Sequence, residues 1–310
     1  MDGAARYEII DTIAQGDFAA VYRDRDRELG REVAIKQIHR QFLADGRQLA
    51  RYWQEAQLLA SLQHPNILTI YDIVRSKGWL ILELIQGSLQ PAAQSEGIDL
   101  DYLRGVVSDS LRALDFLHAN GIVHGDIKPS NMLVDSQGRV KLGDFGLARR
   151  ASNEEGSLLK GTTKYMAPEL VSDRFGEVGP ASDLYSLGFT AYELMCGNKF
   201  DTLFPGLGSF GRDRQIAWMM WHAAADRNLP PIGRVLEGVP PDLTRVIEHL
   251  IVKDQSKRCR SAKEALWELR VDPAQAANDL SDAEAKADAA RAEAAKKKRR
   301  MRLAAAAAMA

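Results

Sequence analysis

The sequence predicts an α+β chain of two unlike lobes, on three observations. Residues 7–88 hold short runs rich in Val, Ile and Leu, interrupted by a single helical stretch. Residues 98–270 carry mostly helical periodicity. After about residue 271 large apolar residues nearly vanish, so the packed part is expected to end there. A β-rich lobe (about 7–88) followed by a mainly helical one (about 89–270) leaves a cleft between them, where ligands bind.

The elements follow from local pattern. Tyr7–Ile13, Val21–Arg23, Val33–Ile38, Ile67–Val74 and Trp79–Ile85 read as strands, being short and rich in β-branched and aromatic residues. Between Gln48 and Leu62, the residues Leu49, Tyr52, Ala56, Leu59 and Leu62 recur every three or four positions, the signature of one apolar helix face. The clearest helices of the second lobe fall at 102–119 and 181–196. Met132–Val134 and Val140–Leu142 flank the turn Ser136-Gln137-Gly138 and predict a small hairpin. Ser281 with Glu284 makes a capping box that starts a helical, Ala-rich tail over 271–310.

Composition narrows the function classes. The chain has 310 residues, 45% hydrophobic and 27% charged, enough for one large bilobal domain. Its net charge of -1 gives no overall field that calls for nucleic acid, and none is expected as a partner. Cys196 and Cys259 are the two cysteines and lie far apart, which argues against a disulfide scaffold and for a reducing compartment. Met1 to Arg6 lack the apolar run of a signal peptide, and no stretch reaches the roughly 18 apolar residues of a spanning helix. A cytoplasmic catalytic part is therefore expected.

Several segments suit the handling of phosphate. In Ala14-Gln15-Gly16-Asp17-Phe18-Ala19-Ala20-Val21, small residues at positions one, three and six allow a turn to lie close over phosphates. Alone, this also fits an ordinary hairpin. Lys36, in the apolar run Val33-Ala34-Ile35-Lys36, needs either a partner or a route to water, because a buried unpaired ammonium is costly. Glu55, on the following helix, is the expected partner, and the pair would hold the α- and β-phosphates. In His124-Gly125-Asp126-Ile127-Lys128-Pro129-Ser130-Asn131, Asp126 can accept a proton from an attacking hydroxyl, and Lys128 can reach a γ-phosphate. Asn131 offers a hard oxygen to Mg²⁺, as does Asp144 of Asp144-Phe145-Gly146, thirteen residues further on. Taken singly, each has a bland reading, since Asp caps helices and Asn fills turns. Their order and spacing together argue for phosphoryl transfer.

These motifs resemble those of eukaryotic-type (Hanks-type) serine/threonine protein kinases, of the kind common in bacteria, from about Tyr7 to Arg270. His64-Pro65-Asn66, Ala167-Pro168-Glu169, Ser182-Asp183-Leu184-Tyr185-Ser186-Leu187-Gly188 and Arg258 agree with the resemblance. It implies a bilobal kinase fold, ATP and Mg²⁺ as cofactors, and protein substrates. It also implies an adenine site in which Ile13, Val21, Ala34 and Leu133 sandwich the ring, Leu82 is the gatekeeper, and the Glu83 carbonyl and Ile85 amide read the edge. Arg258 would pair with Glu169. Lys128 two residues after Asp126, and Gly161-Thr162 before Ala-Pro-Glu, point to serine/threonine acceptors, with Thr162 contacting Asp126 and Lys128. A nucleotide-binding pseudokinase is the rival, but it would be favoured by loss of Lys36, Asp126, Asn131 or Asp144, and all four are present. A small-molecule kinase is a lesser rival.

Two departures matter. The family's arginine before the catalytic aspartate is here Gly125. That arginine normally pairs with an activation-segment phosphate, so activity independent of this switch is expected, even with Ser152, Ser157 or Thr163 modified. The glycine loop keeps only Gly16, which implies a stiffer loop and weaker nucleotide binding.

Other features read two ways. Trp218, Trp221, Met219-Met220 and Pro230-Pro231 suit local core packing or a docking surface. His118 and His222 suit packing roles. Lys296–Arg302 holds six basic residues in seven, either a solvated helix end or a contact with an anionic membrane surface. The following Leu303–Ala310 is too short to span a bilayer.

Overall fold

The computed structural model describes residues 6–16, 18–43, 46–85, 87–144, 149–150, 163–207 and 213–270. The expectations for Asp17, Phe145, Gly146, Ser152, Ser157, Gly161, Thr162 and the whole 271–310 tail, with its capping box and basic cluster, lie outside them. Among the described residues no helix is long and apolar enough to cross a membrane.

The first lobe is a five-stranded antiparallel sheet in the order β1-β2-β3-β5-β4. Its strands are β1 (Tyr7–Gln15), β2 (Ala19–Asp26), β3 (Arg31–Ile38), β4 (Ile70–Val74) and β5 (Trp79–Glu83). The period of two along β3 sorts its side chains. Val33 and Ile35 join Tyr7 and Ile81 on one face, while Ala34 and Ile38 join Leu80 and Leu82 on the other. Lys36 shares parity with Ala34 and Ile38, so it projects from the face that meets helix α1. That helix, Gly46–Ser61, buries Ala56 and Leu59 of the stripe its periodicity predicts, together with Trp53, which is not part of it; Leu49, Tyr52 and Leu62 are partly buried.

The second lobe begins with β6 (Gly87–Ser88), α2 (Gln90–Ala93) and α3 (Leu100–Ala119). Asp99 caps α3 by accepting from the Tyr102 N–H at 2.9 Å. Then come β7 (Ile122–Val123), β8 (Met132–Val134), β9 (Val140–Leu142) and β10 (Arg149–Arg150). Strands β8 and β9 form the expected hairpin, joined by β6 into a small sheet, and β10 pairs with β7. The rest is helical: α4 (Pro180–Cys196), α5 (Arg214–Ala223), α6 (Pro241–Leu250) and α7 (Ala262–Arg270).

Helix α4 is buried on almost every side, which makes it the axis of this lobe. Gly188 explains how α6 gets so close: a Cβ there would sit 2.6 Å from Leu250 Cβ. The α+β, two-lobed expectation therefore holds. Trp218 and Trp221 are buried against Phe204 and Phe189. Core packing, not docking, accounts for those two tryptophans. Met220, by contrast, stands well exposed.

Candidate active site

The loop between β7 and β8 brings the central carboxylate into place. Asp126 Oδ2 lies 2.8 Å from Lys128 Nζ and accepts from Asn131 Nδ2 at 2.8 Å. Asn131 Nδ2 also donates to the Asp126 backbone carbonyl at 2.8 Å, which closes the loop on itself. Lys128 and Asn131 hold one carboxylate oxygen, so Oδ1 is the one these two leave unengaged. Asn131 Oδ1 accepts from Ser130 Oγ at 3.4 Å, a long contact that a cation could replace.

The loop is suspended from the core. Asp183, near the start of α4, accepts from the backbone N–H groups of His124 and Gly125, each at 2.8 Å, and pairs with His118 at 2.9 Å. His118 is therefore part of the loop's support, beyond the packing role expected of it. His124 is fully buried, and its Nε2 meets the Gly143 carbonyl at 3.1 Å. Burial drives its pKa down against the pull of Asp183, Asp126 and Asp144. The ring thus joins the Asp126 loop to the residue before Asp144. Gly125 has φ 76°, a left-handed conformation that glycine adopts without steric cost.

In the same lobe, Asp144 follows β9 with φ 56°, the one non-glycine residue with positive φ among those described. Such strain at an ordinary residue persists where surrounding contacts enforce it, commonly at functional sites. The carboxylate partner that the structure gives Lys36 is Asp144, where Glu55 was the expected one. Crowding by protein acts to raise the Asp144 pKa, but Lys36, by charge and by hydrogen bond, outweighs it with help from Lys128 and His124. The carboxyl is held below its ordinary range. Half of that side chain is still open to solvent. Glu55, half-buried on α1, and Asp144 both act on the buried Tyr52 hydroxyl, whose pKa rises through burial first and these charges second. Helix α1 thus brings Glu55 to the same end of the cleft.

One apolar cluster gathers Val21, Ala34, Leu82, Ile85 and Leu133, five of the six apolar residues expected around an adenine. Ile13 stays out of it, 47% exposed on β1. Glu83 is fixed where the lobes join. Its Oε2 accepts from Lys141 Nζ at 2.8 Å and from the Thr69 N–H at 3.3 Å. In the loop from Ala14 and Gln15 to Ala19 and Ala20, Gly16 is not left-handed. It is needed for room, since a Cβ would sit 3.2 Å from the Ala19 carbonyl. His39 Nε2 holds the Gly16 carbonyl at 2.7 Å, and the Phe18 ring packs on Phe42 and Tyr52 at 5.0 and 5.4 Å.

The floor of the second lobe carries the expected pair. Arg258 Nη1 and Nη2 donate to the two Glu169 oxygens at 2.6 and 2.9 Å, both side chains fully buried. Ser182 Oγ adds a third donor to Glu169 at 2.9 Å. Thr163 is only 2% exposed, so its hydroxyl is not on offer to a modifying enzyme in this conformation, contrary to the expectation for it. His222 is buried between the Tyr185 hydroxyl and the Lys164 carbonyl, a packing role. Sequence reasoning overlooked Asp183 and Lys141 as supports. The signal was there, because a charged residue inside an apolar run must be paired.

The comparisons agree with this geometry. The protein kinase domain profile matches residues 7–268. A probable serine/threonine-protein kinase pknA2 of Bifidobacterium longum is 33% identical over 292 residues, covering 91% of this chain and 35% of that protein. Serine/threonine-protein kinase PknB of Mycobacterium tuberculosis is 31% identical over 296 residues, 90% of this chain and 45% of the other. PknA of the same species is 32% identical over 271 residues, 83% and 59%. This chain spans roughly a third to three fifths of the length of those relatives. With most of its length matched to one domain profile, and with relatives named as serine/threonine kinases, the chain belongs to the protein kinase family.

Proposed function

We propose that this chain transfers the γ-phosphoryl group of ATP to serine or threonine hydroxyls of protein substrates. The observation that carries the reading is the convergence of Asp126, Lys128, Asn131 and Asp144 from the second lobe with Lys36 from the first. Phosphoryl transfer needs alignment and charge neutralisation more than covalent help. The Asp126 carboxylate orients the acceptor hydroxyl and takes its proton as the new P–O bond forms. Lys128 neutralises charge on the transferring group. Lys36 holds the α- and β-phosphates from β3, beside Asp144.

The donor set fits a hard divalent cation. Asn131 Oδ1 and the Asp144 carboxylate are oxygen ligands of the kind Mg²⁺ takes, and Asp144 is held ionised by its cationic neighbours. Held by Asn131 and Asp144, Mg²⁺ would supply charge neutralisation for the phosphates. The adenine would lie among Val21, Ala34, Leu82, Ile85 and Leu133, with the Glu83 carbonyl and the Ile85 amide at its edge. Binding of Mg·ATP in titration calorimetry, and phosphoserine or phosphothreonine in a protein acceptor, are the expected results. Absence of Mg·ATP binding would overturn the reading.

Activity independent of an activation-segment phosphate belongs to the same proposal. Gly125 puts no cation beside Asp126, and Asp183 orders its backbone instead. With Thr163 buried, Ser152 and Ser157 are the positions to test. A Ser152→Ala/Ser157→Ala variant is expected to keep its rate within about tenfold, whereas a loss of a hundredfold or more would contradict independence. On the same reading the catalytic part is cytoplasmic, with the 296–302 basic cluster touching an anionic membrane surface. Vesicle co-sedimentation that ignores anionic lipid and salt would refute that last point.

A further inference from the structure

In the second lobe, away from the catalytic loop, three metal-ligating side chains lie close together, with Glu264 beside one of them. His249 lies in the last turn of α6, Cys259 follows Arg258 in the connecting loop, and Glu264 and Glu268 stand one turn apart on α7. His249 Nδ1 is 3.1 and 3.3 Å from the two Glu268 oxygens. Cys259 Sγ is 3.7 Å from Glu264 Oε2 and 3.3 Å from the Ser261 carbonyl. The ligand atoms of His249, Cys259 and Glu268 all lie within 4.8 Å of one another.

We propose that His249, Cys259 and Glu268, with Glu264 as the fourth donor, bind a borderline-soft divalent cation such as Zn²⁺. Atoms sharing a tetrahedral Zn²⁺ with bonds of about 2.0–2.3 Å lie about 3.2–3.7 Å apart. The His249–Glu268 and Cys259–Glu264 spacings already approach that range. Small side-chain rotations bring the two halves together. One nitrogen, one sulfur and two carboxylates suit zinc or cobalt better than Mg²⁺ or Ca²⁺, which take oxygen alone.

Binding would displace the Cys259 thiol proton. Glu264 has a competing duty, because its Oε2 accepts from the Arg260 N–H at 2.7 Å, and its own N–H donates to Ser261 Oγ at 3.1 Å. The same oxygen, Oε2, is the one that lies beside the thiol. Arg258, next to Cys259, holds Glu169, so a metal here would brace the segment that carries the buried ion pair.

The test is titration of the full chain, chelator-stripped and reduced, with Co²⁺ alone, followed by addition of Zn²⁺. One equivalent of Co²⁺ giving a thiolate-to-metal charge-transfer band, displaced by Zn²⁺, is expected. Cys259→Ser should abolish the band and Cys196→Ser should keep it. Loss of an outer partner already costs about ten- to hundredfold in affinity. Glu268→Gln, which removes a direct ligand, should therefore weaken binding at least tenfold. If Cys259→Ser does not fold, His249→Gln replaces it and should also weaken binding at least tenfold. No band in the wild type, a band surviving Cys259→Ser, or unchanged affinity in Glu268→Gln or His249→Gln would overturn the proposal.

Discussion

The carboxylate of Asp183 accepts the backbone N–H of Gly125 at 2.8 Å, and with the same reach it holds the N–H of His124. A side chain buried on the central helix therefore sets the backbone from which Asp126 projects. Hydrogen bonds to a charged group contribute about 1.5–3 kcal/mol each. Asp183→Asn keeps the shape and drops the charge. It is expected to cost about 2–3 kcal/mol in denaturant unfolding and to lower kcat at least tenfold. Because the adenine cluster is built from other elements, KM for ATP should change little.

Gly125 turns left-handed at φ 76° to present that N–H. A Cβ in this conformation costs about 1–2 kcal/mol. Gly125→Ala is therefore expected to lower stability by about 1 kcal/mol without deleting any contact. An unchanged denaturation midpoint would show that the position tolerates a side chain.

The two-lobed architecture and the catalytic loop were legible because each rests on a local pattern. The apolar run around Lys36 said that its charge must find a partner, and the β8–β9 turn predicted the hairpin that leads to Asp144. What local pattern left illegible is pairing across long separations; Arg258 with Glu169, 89 residues apart, came from the family resemblance alone. Lys36 and Glu55 are neighbours in pattern, but Lys36 meets Asp144, 108 residues away. Likewise Lys141 finds Glu83 at a separation of 58, and His118 finds Asp183 at 65. Burial was misjudged at Thr163, which is polar and sits in a segment that reads as an exposed loop. Spacing says which residues share a face, whereas packing decides which charges meet.

The Glu169–Arg258 pair makes a sharper claim about stability. Removing one partner of a buried ion pair leaves an uncompensated charge, at about 3–5 kcal/mol. Arg258→Met is expected to cost that much and to disorder the floor under the substrate segment. Adding Glu169→Gln should return part of the loss, since it removes the orphaned charge. Thermal or urea unfolding of the single and double variants measures both.

His222 gives a pH dependence. Burial pushes its pKa from 6.5 down to about 3, against the pull of the Lys164 carbonyl. The unfolded chain therefore binds a proton that the folded one refuses. The stability contributed is complete above about 6.5 and is lost as pH falls toward 3, by up to about 1.4 kcal/mol per pH unit. His124, lowered in the same direction by burial, adds to the slope. His222→Phe should flatten the stability profile between pH 6 and about 4 relative to wild type. Parallel profiles would contradict this assignment.

The central claim rests on one carboxylate, held by Lys128 and Asn131 and hung from Asp183. Transfer of radiolabelled phosphoryl from ATP to a protein acceptor, in wild type and Asp126→Asn, tests it most directly. Asp126→Asn keeps the side chain's size but cannot take a proton. The account predicts a fall of at least a hundredfold in incorporation, the scale on which acid–base groups contribute, with Mg·ATP binding retained. Equal incorporation by the two proteins would contradict it.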